Sequence, residues 1–467
     1  MTRVRLPAAS ALFSLIASAC GDNSAPPAQP AGWDDGLLVP QADDINPDPN
    51  VVEVNLEAAL APLSLMPGLT TTAWTYNGRV PGPLIRARVG DRVIVHFTNN
   101  LPESTTIHWH GLRIPAAMDG MPGPSEPPIA PGGAFDYDFV VPDASTFWYH
   151  PHVDSAAQVG NGLYGPLIVD DPDDPPGLGD EVILVLSDMG IESDGTLEAA
   201  DSGGDLGTLY GREGNVVLVN GQVVPTLKAR PGLRQRWRII NAAKSRYFLL
   251  SMAGHSFQRI GGDGGRLEAP IDVDRPLIVP GERADLVVVP QGEPGSRVTV
   301  EAQPYDRGLG TAFVAPIDLF VVQFEGTPVA TTPLPALKRT IVPLPIAAAR
   351  PVDIQLTYDG ASPLSLGING VAYPDSQPYM ATVGETQLWT ITNTFGLAHP
   401  FHMHGFFFQV QSSSGPLEWK DTVNIPVNGS VTFAVRFDDR PGMWMFHCHI
   451  LDHAEAGMMG AVMLMEP

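Results

Sequence analysis

Cysteine is almost missing from this chain: there are two in 467 residues, Cys20 and Cys448. That excludes a disulfide-stapled framework. Positive charge is also scarce. Twenty-seven Lys and Arg stand against 51 Asp and Glu, a formal net charge of −24, which argues against a nucleic-acid partner and suits a solvated acidic surface. Beyond residue 19 no apolar run is long enough for a membrane helix. What is plentiful is Gly (48) and Pro (47), punctuating many short Val/Ile/Phe runs. This pattern reads as all-β sandwich material, and the length suggests about three domains.

Residues 1–19 carry Arg3 and Arg5 and then an apolar stretch too short to span a bilayer, the form of a signal peptide. Ala17-Ser18-Ala19-Cys20-Gly21 resembles a bacterial lipobox, so Cys20 is expected to carry lipid and hold the protein at an extracytoplasmic membrane face. Plain cleavage near Ala19, leaving a free periplasmic protein, is the alternative. Residues 20–50 are rich in Pro, Ala, Asp and Asn without apolar periodicity and read as a flexible tether.

Against this background the 12 histidines are unevenly placed. Eight form His-x-His pairs: His108/His110, His150/His152, His402/His404 and His447/His449. Chance placement gives about 0.3 such pairs. On a strand, residues i and i+2 share a face, so each pair presents two imidazoles to one spot. In His447-Cys448-His449 the thiolate leaves by the other face, and one strand then serves two metal sites. Imidazoles with a soft thiolate suit copper. His96 and His255 lie outside these pairs and read as structural.

The pairs sit in an internal repeat. Asn77-Gly78, Asn220-Gly221 and Asn369-Gly370 are each followed by a Pro (Pro83, Pro225, Pro374) and a Gly opening a strand (Gly90, Gly232, Gly384). Each strand ends in Asn: Asn99, Asn241, Asn393. Nine and eleven residues further lie His108/His110 in the first copy and His402/His404 in the third, but Leu250/Met252 in the second. Three homologous sandwiches follow, the outer two facing each other across a shared metal site.

HWHG, WYHPH, HPFHMHG and HCHILDHAEAGMM, in that order, make the chain resemble the three-domain bacterial multicopper oxidases of the laccase and cuprous-oxidase type, from about Val51 to the C-terminus. The resemblance implies three consecutive cupredoxin-like Greek-key β-sandwich domains: 51–175, 176–330 (without copper ligands) and 331–467. It implies four copper ions. A type 1 copper falls to Cys448, His399, His453 and an axial Met458, with Met459 as the rival ligand. A type 2 copper falls to His108 and His402. The type 3 pair falls to His110, His150, His152, His404, His447 and His449. Electrons enter at the His453 edge, pass through Cys448 to the flanking histidines, and reduce O₂ to water. Asp119 is expected to carry protons, its other reading being a turn residue before Gly120. Several relatives have Glu directly after the His453 equivalent; here Ala454 stands there and Glu455 follows, which puts a proton path at that position in doubt.

Gly262-Asp263-Gly264-Gly265 reads as a turn in the second sandwich, and Met443 and Met445 as core. Copper nitrite reductase normally has two domains, so four His-x-His pairs argue against it, and intact ligands argue against a copper-free relative. Between 331 and 398 there is one methionine, Met380, and no Met-rich insertion. The His453 edge is therefore expected to be less covered and open to phenols and aromatic amines, with Cu(I), Fe(II) or Mn(II) oxidation as the alternative.

Overall fold

The computed structural model describes residues 35–467 except 312–314, 361–363 and 413–414. The leader and Cys20 lie outside the described residues. Three pairs of facing sheets follow one another along the chain: four strands on four, six on five, and five on five. Each pair contains the same parallel partnership. Val51–Met66 runs beside Arg92–Asn100, Asp180–Met189 beside Gln235–Asn241, and Arg350–Tyr358 beside Thr386–Asn393.

The repeated asparagines explain why each copy folds alike. Asn77, Asn220 and Asn369 all take φ near +50°, the left-handed conformation that Asn tolerates and the tight turn requires. Their Oδ1 atoms accept from the backbone N–H of Glu57 (2.7 Å), Val185 (2.7 Å) and Gln355 (2.6 Å), clasping the turn to its neighbouring strand. The strand-ending Asn99, Asn241 and Asn393 are buried, and each donates Nδ2 to two backbone carbonyls while Oδ1 accepts from the residue two further on. These buried amides satisfy carbonyls that the departing strand leaves bare.

Thr386–Asn393 alternates between its two faces, the mark of a half-buried strand, with Trp389 and Ile391 inward. Gln235–Asn241 is buried throughout. Its outer face is covered by the first sandwich, and the two arginines on that face are compensated: Arg236 pairs with Asp285 and Asp174, and Arg238 with Glu181. The second sandwich thus lies against the first through charged pairs on this face and through an apolar cluster that joins Trp148, Val159 and Tyr164 to Met189, Leu218 and Ile240.

Three short helices interrupt the strands: α1 (Ser155–Gly160), α2 (Gly204–Tyr210) and α3 (Leu451–Glu455). Among the described residues no helix is long and apolar enough to cross a membrane.

The tether expected over 20–50 does not persist to residue 50. Leu37 is 1% exposed within the core of the second sandwich, its carbonyl accepts from Asn220, and in the first Ala42 N donates to the Leu84 carbonyl while Leu84 N donates to the Pro40 carbonyl. A polar composition concealed this strap because two apolar side chains and a few backbone bonds fix it.

Candidate metal centres

Strand register builds the histidine cluster. His108–His110 pairs antiparallel with Ser145–His150, setting His108 opposite His150. In the third sandwich His399–Met403 pairs with Gly442–Cys448, setting His402 opposite His447 and Phe401 opposite Cys448. The two edges meet face to face, with His108 stacked on His404 and His110 on His402, both with ring centroids 3.8 Å apart.

Within this cluster the ligand atoms form overlapping groups whose members lie within 4.8 Å of one another, among them two mixed triads, His110, His150 and His449, and His152, His404 and His447, and a third, His108, His150 and His152, inside the first sandwich. The two mixed triads draw on both outer sandwiches. His108 and His402 remain, near His110. The rings are anchored from behind: His108 Nδ1 lies 2.8 Å from the Asp119 carbonyl, His402 Nδ1 3.0 Å from the Asp421 carbonyl and His447 Nδ1 2.9 Å from the Cys448 carbonyl. Such bonds fix the ring and its tautomer. The opposite atoms, His108 Nε2, His150 Nε2, His152 Nε2, His402 Nε2 and His110 Nδ1, are buried without a partner. Orphaned buried acceptors are costly, and a bound metal supplies what they lack. Burial, joined by the other rings, pushes His110, His150, His152, His447 and His449 well below the ordinary value and His404 down to about 3. The rings are neutral, as ligation requires.

On the other face of the same strand, Cys448 Sγ lies 3.5 Å from His399 Nδ1 and 3.5 Å from His453 Nδ1, which are 3.1 Å apart. Burial pushes the Cys448 thiol up to about 12, so the proton leaves only when a cation replaces it. Met458 shares the core around Cys448, whereas Met459 packs with Met121 and Met445 in a separate cluster. Met443 flanks that second cluster as apolar packing.

Asp119 is 1% exposed, with Oδ2 2.8 Å from His404 Nδ1 and Oδ1 3.4 Å from His108 Nδ1. Burial alone would raise its pKa, but the two histidines hold it well below the carboxylate range. Its loop approaches closely only because Gly120, at φ +79°, has no Cβ; one would lie 1.8 Å from the Ile107 carbonyl. Glu455 is occupied elsewhere, its Oε1 accepting from Ser155 N and Oγ at the start of α1.

Sequence reasoning missed three groups. Asp421 is bracketed by the buried Arg283, with Oδ1 2.7 Å from Nη1, and lies 3.4 Å from His110 Nε2. Asp263, in the expected turn between strands of the second sandwich, accepts from Arg283 N at 2.9 Å and lies 3.3 Å from Lys420 Nζ. Glu126 is buried beside Tyr137 (Oε1 2.6 Å from the hydroxyl), and burial, with Asp119 nearby, pushes it up to about 7.

The openness expected at His453 is overturned. His453 is 0% exposed, and its Nε2 donates to the Leu209 carbonyl of α2 at 3.0 Å. The cover comes from the second sandwich, not from the stretch 331–398. Arg212 ties it down, its backbone N–H donating to Asp452 (2.7 Å) and its guanidinium to Asp452 and to the Ser202 carbonyl. His96, which bridges Glu53 and Asp136, and His255, which accepts from Gln291 N, lie outside both centres.

Two buried centres on opposite faces of one cysteine-bearing strand, within β-sandwiches, define a copper protein of the electron-transferring class. Family models described as multicopper oxidase match residues 60–174, 180–317 and 345–466. The chain belongs to the multicopper oxidase family, and is a copper-dependent oxidoreductase with O₂ as acceptor. It is 34% identical over 427 residues to multicopper oxidase MmcO of Mycobacterium tuberculosis (84% of this chain, 83% of that protein). It is 30% identical to laccase-1 of Fomitopsis schrenkii, with 86% and 84% covered. A Campylobacter jejuni multicopper oxidase described as a metallo-oxidase superposes with a TM-score of 0.80 at 28% identity, covering 92% of this chain and 94% of that one.

Proposed function

We propose that the chain holds four copper ions and couples one-electron oxidation of small reductants, phenols and aromatic amines foremost, to the four-electron reduction of O₂ to two waters. In this reading Cys448, His399, His453 and Met458 hold the type 1 ion, His108 and His402 the type 2 ion, and the two mixed triads the type 3 pair. One observation carries it: Cys448 sits between two imidazoles of the buried cluster while its own sulfur faces His399 and His453. Copper supplies one-electron uptake at the sulfur site and O₂ reduction at the cluster. The protein supplies the rest. The backbone joins Cys448 directly to His447 and His449, burial keeps water from the sulfur, and Asp119 places a carboxylate oxygen against His404 for proton delivery. The test is a Cys448→Ser variant loaded with copper. It is expected to lose the intense blue band and O₂ uptake while keeping cluster copper; a retained blue band sinks the assignment.

For the reductant, the outer side of α2 presents Leu206 (65% exposed) and Tyr210 (37%), a landing for aromatic rings above Leu209. A metal-ion reading, with Cu(I), Fe(II) or Mn(II) as donor, is favoured by the same helix, since it keeps every donor off His453 and small cations lose least by that. We expect kcat/KM for a dimethoxyphenol to exceed that for Cu(I) under matched conditions, and the reverse by orders of magnitude makes this a metallo-oxidase. Lipid on Cys20 rests on the leader sequence alone and is checked by mass spectrometry of the mature N-terminus.

A further inference from the structure

Away from both copper centres, a cavity of about 530 Å³ opens where all three sandwiches and the 325–349 connection meet. Its charge is unbalanced in an unusual direction for a chain of net −24. Among the lining cations, Arg113 is committed to Asp143 and Asp438, and Arg266 to Asp171. Lys338, Arg339 and Arg436 form no ion pair among the described residues, although Asp171 and Asp143 lie near enough to Arg339 to favour its charge. Arg339 donates to the carbonyls of Arg266 (2.7 Å) and Gly264 (3.0 Å), and burial, joined by Arg266, pushes its pKa down despite Asp171 and Asp143. Against these three stands one lining carboxylate without a cation, Asp173. Arg339 is half-buried, while Lys338 and Arg436 are exposed; an arriving anion gains their attraction and offsets the desolvation of Arg339.

The remaining wall is aromatic. Phe407 and Trp419 are half-buried at the cavity, Phe407 held from behind by Arg113 at 5.9 Å from its ring centre. A ring-sized volume with a few convergent charges at a domain junction is the usual form of a small-molecule site. We propose that this cavity binds an aromatic carboxylate, its ring against Phe407 and Trp419 and its carboxylate between Lys338, Arg339 and Arg436. Phosphate would use the cations and waste the ring wall; a neutral arene would do the reverse.

The test is titration calorimetry on the copper-loaded full chain with naphthalene-2-carboxylate, which is not a phenolic reductant. We expect one-to-one binding, at least ten-fold weaker for 2-naphthylmethanol, for inorganic phosphate and for the K338E/R436E variant, about 1.4 kcal/mol in each case. Both substituted side chains are exposed, so the variant keeps its fold and blue band as controls. Absence of binding, equal binding by the variant, or equal binding of phosphate or of the alcohol overturns the proposal.

Discussion

At the scale of single residues, two carboxylates touch the histidine cluster with different partners, and this predicts different failures. Asp119 meets His404, His108 and the loop around Gly120, and among the described residues no Lys or Arg pairs with it. Asp421 is clamped by Arg283, a side chain donated by the sandwich that carries no ligands. Asp119→Asn should slow O₂ reduction while leaving copper content unchanged, because the amide keeps the volume and loses the proton site. Arg283→Met leaves Asp421 as an uncompensated buried charge, with Lys420 still beside Asp263, which costs about 3–5 kcal/mol. It should weaken the hold on His402, so the type 2 electron-spin-resonance signal shifts or disappears while the blue band stays. Should both variants show identical copper content and spectra, the separate roles are wrong. Neither Arg283 nor Asp421 was legible beforehand, since a charged residue on a short strand reads as solvent-facing until a neighbouring domain is placed against it. The eight paired histidines and Cys448 were legible because strand periodicity dictates which side chains share a face, whereas His399 and His453, the latter on α3, were read from the family resemblance.

At the scale of elements, the strands were readable and α2 was not. Asn-Gly turns and Asn-terminated strands have fixed backbone demands, so three copies of them announce three copies of one architecture. The helix Gly204–Tyr210 buries none of its residues and is flanked by Gly203 and Gly211, both at φ +69°. Without an apolar face it leaves no periodic signal. Gly211 is there for contact: a Cβ would lie 2.6 Å from Ile450 Cγ2. Replacing 203–209 by a short Gly-Ser loop removes the Leu209 carbonyl from His453. We expect kcat/KM for bulky phenols to rise about ten-fold or more relative to small donors, with copper content unchanged. An unchanged ratio would show that donors never meet this helix.

At the scale of the whole molecule, the buried imidazoles couple folding to pH. His404 and His453 titrate near 3 in the folded chain, pushed down first by burial, and near 6.5 when unfolded. Between those values the unfolded state binds more protons, so stability of the copper-free protein rises with pH and falls as pH drops below about 6.5. Urea midpoints of the copper-free chain at pH 7.5, 6 and 5 should decline steadily. A flat series would mean that the cluster opens to water without copper.

The mixed triads also impose an order on biosynthesis. His110, His150 and His152 emerge early from the ribosome, but the sites they belong to need His404, His447 and His449, which come near the end of the chain. A product that stops before His404 holds neither mixed triad, though it keeps the grouping of His108, His150 and His152. Filling of both mixed triads therefore follows synthesis of the last strands, and a fully loaded cluster certifies that translation reached them.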